Sequence, residues 1–253
     1  MDSDDRTIGR VLTRREILAL FGGSTAAMLA ACGPNAVGGS VSATPAVTSA
    51  VTAATGATNA ALPSCIVRPA LTEGPYFVDE KLDRSDIRES KPGTPLTLTF
   101  NVSKVSGGSC AALTGAQVDV WHCDAAGVYS DATDPSFNTK GQRFLRGYQR
   151  TDQSGRATFQ TIYPGWYQGR AVHIHFKIRT TAGGQTADFT SQLFFDDALS
   201  AQVFATAPYA QRGSGWLKNA QDGIYTGGGD KLLAKPVQSG AGYAVSFDIG
   251  LAS

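Results

Sequence analysis

Two of the three histidines in this chain, His173 and His175, are separated by a single residue in the segment RAVHIHFKI (170–178). Successive side chains of a strand point to opposite faces, so these two imidazoles share one face while Ile174 and Phe176 share the other. Two imidazoles on one face can bind one metal ion. A pair of surface histidines without a metal is the alternative that the spacing alone leaves open.

Two tyrosines lie in turns close to this strand. Tyr167 follows a Pro-Gly turn in TIYPGWYQGR (161–170), and Tyr129 lies in a glycine-containing loop after a strand in VDVWHCDAAGVYS (118–130). A phenolate is a hard, anionic oxygen donor, and together with imidazole it suits ferric iron better than zinc, which prefers thiolate and imidazole. A bound cation can keep a phenol ionised at neutral pH. The four side chains therefore predict an Fe(III) site.

The segments that carry these residues form an ordered series that resembles the intradiol ring-cleavage dioxygenases. That family of non-haem ferric enzymes includes protocatechuate 3,4-dioxygenase and catechol 1,2-dioxygenase, and this chain is most similar to a secreted, single-domain branch. The matching segments are TEGPYFV (72–78), RSDIRE (84–89), GAQVDVWHCDAAGVYS (115–130), FLRGYQRTDQSGRATFQTIYPGWY (144–167), RAVHIHFKI (170–178) and TSQLFFDD (190–197).

The resemblance implies that iron is bound by four residues, each at a matching position. These are Tyr129, Tyr167, His173 and His175. It implies two catalytic residues as well. Arg170 would stabilise negative charge developing on the substrate ring, and Gln192 would orient the intermediate derived from dioxygen. Tyr76 is a weaker candidate for the wall of the substrate pocket.

The activity implied by the resemblance is cleavage of a catechol between its two hydroxylated carbons by O2, giving a cis,cis-muconate-type dicarboxylic acid. Tyr167 would leave the metal and take up substrate protons, while Tyr129 would stay bound. The segment QGRAV (168–172) between Tyr167 and His173 is shorter than the insertion that the resemblance leads us to expect in protocatechuate enzymes. We therefore expect a more open pocket wall and a broad substrate range. Which catechol is natural and how many chains associate stay open. The alternatives are a lipid-anchored binding module without catalysis and an iron-binding lipoprotein.

The first 31 residues predict export. Arg14 and Arg15 precede an apolar run (18–31) that is too short and glycine-interrupted for a spanning helix, and LAAC ends at Cys32. This arrangement resembles a twin-arginine lipoprotein signal with lipid on Cys32, so we expect a lipid-anchored protein of the bacterial cell envelope or periplasm. A plain twin-arginine signal, with Cys32 incidental, is the alternative.

Residues 32–63 are almost entirely small and uncharged, so we expect a flexible linker, with a short arm packed on the domain as the alternative. Residues 64–253 are long enough for one domain with a sizeable core. Beyond the signal the chain has 18 basic and 17 acidic residues, and this balance gives no electrostatic case for binding nucleic acid.

Short alternating runs separated by turn residues predict an all-β fold, an antiparallel β-sandwich with few short helices. The best helix candidate is 196–205, with Asp197 as its N-cap. The predicted strands are 96–102, 116–122, 157–163, 172–178, 189–195 and 243–249.

If Cys32 carries lipid, three cysteines remain and at most one internal disulfide can form. We expect Cys65 to pair with Cys110 and Cys123 to be buried, although the sequence leaves the other two pairings open. His122 next to Cys123 could suggest a zinc site. Adjacent strand residues face opposite ways, so we expect His122 to be structural and satisfied by a backbone partner.

Overall fold

Strands are the main regular elements of the described chain, because its apolar residues alternate with polar ones over short runs bounded by turns. The computed structural model describes residues 66–182 and 185–252 of the 253. The strands are β1 (Pro95–Ser106), β2 (Ser109–Ala112), β3 (Gln117–Trp121), β4 (Thr133–Asp134), β5 (Phe137–Asn138), β6 (Arg146–Arg150), β7 (Arg156–Ile162), β8 (His173–Ala182), β9 (Gln185–Phe194), β10 (Val237–Ser239) and β11 (Gly242–Ala252).

These strands form two main sheets and one small hairpin. In the first sheet β10, β11 and β1 are neighbours in that order, and β2 and β7 pair with successive parts of the other edge of β1. The second sheet has the order β6-β3-β8-β9, and β4 pairs with β5. All pairs are antiparallel except β1 with β11, which run parallel over ten residue pairs. The prediction of antiparallel sheets was wrong for this pair, because β1 and β11 are not joined by a hairpin: β2 to β10 lie between them along the chain, so no short turn fixes their relative direction.

The core lies between the two sheets, as predicted for a sandwich. Every second residue of β1 from Leu96 to Val102 is buried, including Leu98 and Phe100. The alternate residues Ile174 and Phe176 of β8 meet them from the second sheet. The ring centroids of Phe100 and Phe176 are 5.0 Å apart. Burying such side chains stabilises the fold by about 1.5–3 kcal/mol each.

Short helices connect β9 to β10. They are α1 (Asp197–Phe204), α2 (Gly223–Thr226) and three 3-10 helices, Tyr209–Arg212, Asn219–Gln221 and Gly229–Leu232. The predicted cap was one residue late, because the Asp196 side chain accepts hydrogen bonds from the N–H groups of Ala198 and Leu199, whereas Asp197 is already helical. No helix among the described residues is long and apolar enough to cross a membrane.

The cysteine predictions are tested only in part. Cys110 is disulfide-bonded, and Cys123 is buried and free, as predicted. Cys65 lies outside the described residues, so its pairing with Cys110 stays a prediction. The signal (1–31), the lipidated Cys32 and the linker (32–63) also lie outside them.

Candidate metal centre

The His-x-His pair projects from the outer face of β8, at the end where that strand begins. Ile174 and Phe176 belong to the sandwich core, so the pleat turns His173 and His175 away from it. Both imidazoles are nevertheless buried, each 3% exposed, because loops cover this face. Their Nε2 atoms are 2.9 Å apart. The strand therefore directs two imidazole nitrogens at one point.

Hydrogen bonding leaves His173 with a lone pair for a cation, and burial keeps both imidazoles neutral. The Nδ1 atom of His173 is 2.6 Å from the carbonyl oxygen of Ala171, which can only accept, so Nδ1 carries the proton and Nε2 the lone pair. Burial lowers the pKa of His173 to about 3 and that of His175 well below its ordinary value. Trp121 stacks on His175 at a centroid distance of 5.0 Å and fixes its plane.

Tyr129 brings a third donor atom to the same point. Its ring is buried, 1% exposed, and its hydroxyl lies 3.2 Å from His173 Nε2. Burial raises the pKa of this phenol well above its ordinary value, so a cation is needed to ionise it. The hydrogen bonds among these three side chains do not satisfy every polar atom, because the buried Nδ1 of His175 has no hydrogen-bond partner in the described part of the chain. Two neutral imidazoles and a phenol are a donor set that fits ferric iron.

The loops that carry the two tyrosines touch through their backbones, and two glycines make this possible. A Cβ on Gly127, which has φ 77°, would lie 2.2 Å from the carbonyl oxygen of Trp166. A Cβ on Gly165 would lie 2.3 Å from the carbonyl oxygen of Asp124. The side chain of Asp124 also accepts hydrogen bonds from two backbone N–H groups of its own loop. The glycines of the two tyrosine motifs thus allow the backbones of the two loops to approach closely.

Tyr167 lies beside Tyr129, but its hydroxyl has other partners. The two rings are 5.6 Å apart. The Tyr167 hydroxyl donates to Asp134 Oδ2 at 2.7 Å and lies 2.7 Å from the Tyr76 hydroxyl, which also donates to Asp134. Hydrogen bonds from Ser136 and Tyr76 hold the pKa of Asp134 well below its usual range. Tyr76 therefore contacts Tyr167, and its place in the wall of a substrate pocket stays a prediction, whereas sequence reasoning missed Asp134.

Arg170 and Gln192 form a second group next to the histidines. Gln192 is fully buried on β9, directly opposite His175 in the sheet, and its Oε1 accepts from Arg170 Nη2 at 2.6 Å. Arg170 Nε donates to Asp222 Oδ2 at 2.9 Å. Asp222 is another residue that the sequence analysis missed. No local pattern marks either aspartate, because each reaches the site from a distant loop.

His122 is structural. Its Nδ1 lies 2.8 Å from the carbonyl oxygen of Cys123, as predicted, and its Nε2 lies 2.7 Å from Thr161 Oγ1. Burial lowers its pKa to about 4. Within the described ranges, no group of three or more His, Cys, Asp or Glu side chains could hold a metal ion.

Comparisons with known proteins agree in pointing to ring-cleaving oxygenases. The sequence model of a dioxygenase family matches residues 72–252. An intradiol ring-cleavage dioxygenase from Tetranychus urticae is 34% identical, with a TM-score of 0.66 over 74% of this chain and 94% of that one. The dioxygenase domain of a carbohydrate-binding fusion protein from Streptomyces sp. SirexAA-E is 30% identical, with a TM-score of 0.53 over 74% and 99%.

Curated relatives match over shorter stretches. A chlorocatechol 1,2-dioxygenase from Rhodococcus opacus is 30% identical over 152 residues, which are 53% of this chain and 56% of that protein. A catechol 1,2-dioxygenase from Candida albicans is 36% identical over 87 residues, which are 26% of this chain and 27% of that protein. The chain thus matches about half and about a quarter of the length of these two relatives.

Proposed function

Because the chain belongs to the intradiol ring-cleavage dioxygenase family, we propose that it cleaves catechol-type rings with O2, using Fe(III) bound by Tyr129, Tyr167, His173 and His175. The observation that carries the proposal is the convergence of Tyr129 Oη, His173 Nε2 and His175 Nε2. The product would be a cis,cis-muconate-type dicarboxylic acid.

Bound ferric iron would supply the Lewis acidity that lowers the pKa values of both catechol hydroxyls and the redox chemistry that lets the ring react with O2. The protein would contribute a buried site whose imidazoles are neutral and whose ring planes are fixed by packing.

Tyr167 would act as the proton acceptor in substrate binding. The Tyr167 phenolate would take a hydroxyl proton from the catechol and would then need a position away from the substrate. The Asp134 carboxylate and the Tyr76 hydroxyl, both at hydrogen-bond distance from Tyr167 Oη, offer such a position. We propose that this arrangement is the resting place of protonated Tyr167 while substrate is bound.

Arg170 would stabilise the negative charge that develops on the substrate ring. A guanidinium keeps its proton, so its charge is present throughout turnover. Gln192, whose Oε1 accepts from Arg170, would orient the oxygenated intermediate with the remaining N–H of its amide.

For the location of the protein, we propose twin-arginine export and a lipid on Cys32, on the strength of the N-terminal sequence alone. Labelled palmitate supplied to the cells should be incorporated into the wild type and not into Cys32→Ser. A wild-type protein that carries no label would refute the lipid anchor.

Catechol-dependent O2 uptake by the iron-loaded protein tests the proposed activity. We expect one O2 consumed per catechol and a ring-opened dicarboxylic acid that carries both oxygen atoms. Tyr129→Phe should lose the activity, and Tyr243→Phe, a substitution in the first sheet away from the site, should keep it. Iron binding without O2 uptake by the wild type would favour an iron-binding protein instead.

A further inference from the structure

Asp222 is a buried residue next to Arg170, and both of its carboxylate oxygens accept hydrogen bonds from other groups of the protein. Its side chain is 2% exposed. Oδ2 accepts from Arg170 Nε at 2.9 Å and from the backbone N–H of Ala171 at 2.8 Å. Oδ1 caps α2 by accepting from the N–H groups of Ile224 and Tyr225. One carboxylate therefore connects the start of α2 to Arg170 and Ala171, the residues just before β8 and His173.

The opposite edge of the Arg170 guanidinium is held as well. Nη2 donates to Gln192 Oε1 at 2.6 Å, and the Gln192 amide is itself fixed by donating from Nε2 to the carbonyl oxygen of Thr72 at 2.9 Å. Nη1 has no hydrogen-bond partner within the described part of the chain. The guanidinium is thus clamped on two of its three nitrogens, and the third is free for a ligand.

From this geometry we propose that Asp222 is a positioning residue, which holds the free Nη1 of Arg170 in place against a catecholate bound at the metal centre. The proposal rests on the proposed function of that site. Arginine has many rotamers, and its side chain is 20% exposed here, so a guanidinium without a buried anchor would turn toward water. Asp222 removes that freedom before the substrate arrives.

We expect replacement of Asp222 to have a large effect on the function of Arg170, because Asp222 and Gln192, the two side chains that hold the guanidinium, are both buried. Removing one member of a buried ion pair leaves the other charge uncompensated, and it then moves. A displacement of about 1 Å in a group that meets developing charge can reduce a rate by up to about a hundredfold, and Asp222→Asn, which keeps one acceptor oxygen, is expected to lose less, about tenfold. We therefore expect loss of Asp222 to be felt wherever Arg170 acts.

The test is a double-mutant cycle between Asp222→Asn and Arg170→Ala in the iron-loaded, full-length protein. Two quantities are measured: kcat/KM for catechol from O2 uptake, and the anaerobic Kd of 4-nitrocatechol from its visible spectrum. We expect Asp222→Asn to weaken both about tenfold in the wild-type background. In the Arg170→Ala background it should change either one less than about twofold, because Asp222 acts through Arg170.

Asp196→Asn is the matched control, since Asp196 caps α1 through the same kind of contacts but has no contact with Arg170. It should leave both quantities unchanged. Asp222→Ser keeps a capping oxygen without the carboxylate and carries the test if Asp222→Asn does not fold. Equal losses in both backgrounds, or no loss in the wild type, would overturn the proposal. If the wild type binds 4-nitrocatechol but consumes no O2, the proposed function fails while the binding cycle still decides the role of Asp222.

Discussion

At the scale of single residues, the site combines side chains that lie in recognisable sequence motifs with carboxylates that are distant from them in sequence. His173 and His175 could be selected from the sequence because their spacing on a strand fixes their direction, and Tyr129 because its loop matches the family that the chain resembles; the donor atoms of all three lie close together. Asp134 and Asp222 could not, because they contact Tyr167 and Arg170 across 33 and 52 residues of sequence. Only the folded chain brings such carboxylates to the site.

The role proposed for Tyr167 can be tested by removing its hydroxyl. Tyr167→Phe keeps the ring but can neither accept a proton nor bind the metal, so we expect kcat for catechol cleavage to fall by about a hundredfold or more. Steady-state O2 uptake measures this. Activity equal to that of the wild type would mean that Tyr167 has no part in proton transfer.

Asp134 should matter through its charge. Asp134→Asn retains an acceptor oxygen but weakens the hydrogen bond from Tyr167, which costs about 1.4 kcal/mol or more. We expect kcat to fall about tenfold, with little further loss when the change is added to Tyr167→Phe. A full additional loss in the double variant would show that Asp134 acts independently of Tyr167.

At the scale of elements, the alternation of apolar and polar residues identified the main strands but not which strands pair. The run predicted at 172–178 begins within one residue of β8, which continues four residues further to Ala182, and its inward and outward faces are as predicted. The parallel pairing of β11 with β1 was missed, since the relative direction of two strands that lie far apart along the chain depends on the path of the chain between them and not on the strands themselves. The cap of α1 was misplaced by one residue, because two adjacent aspartates satisfy the same sequence rule.

The contact between the two tyrosine loops is also testable. Gly127→Ala would place a Cβ against the carbonyl oxygen of Trp166, whereas Gly115→Ala, at a nearly equal φ of 78°, meets no atom within 4 Å. We expect Gly127→Ala to reduce the free energy of unfolding by about 2 kcal/mol more than Gly115→Ala, and to lower the iron content. Urea unfolding and elemental analysis measure the two effects, and equal behaviour of both variants would contradict the contact.

At the scale of the whole molecule, the buried histidines should make the fold sensitive to acid. Burial lowers the pKa of His122 to about 4, against about 6.5 in the unfolded chain. Between these values the unfolded state binds a proton that the folded state excludes, so stability falls as the pH falls from 6.5 to 4. Protonation of His122 should thus destabilise the folded protein.

A variant that cannot take up this proton isolates the contribution. His122→Gln should cost stability at pH 7 through lost hydrogen bonds, but its deficit should shrink by about 2 kcal/mol at pH 5. Urea unfolding of both metal-free proteins at the two pH values measures the change. A deficit that stays constant from pH 7 to pH 5 would contradict the lowered pKa.

The central claim is a ferric centre with tyrosinate ligands that binds catechol directly. The measurement that tests it most directly is the visible spectrum of the purified, iron-loaded protein before and after addition of catechol without O2. We predict a broad charge-transfer band that shifts to longer wavelength when catechol binds. A protein that remains colourless after loading with ferric iron would contradict the metal site and leave a binding module without catalysis as the better account.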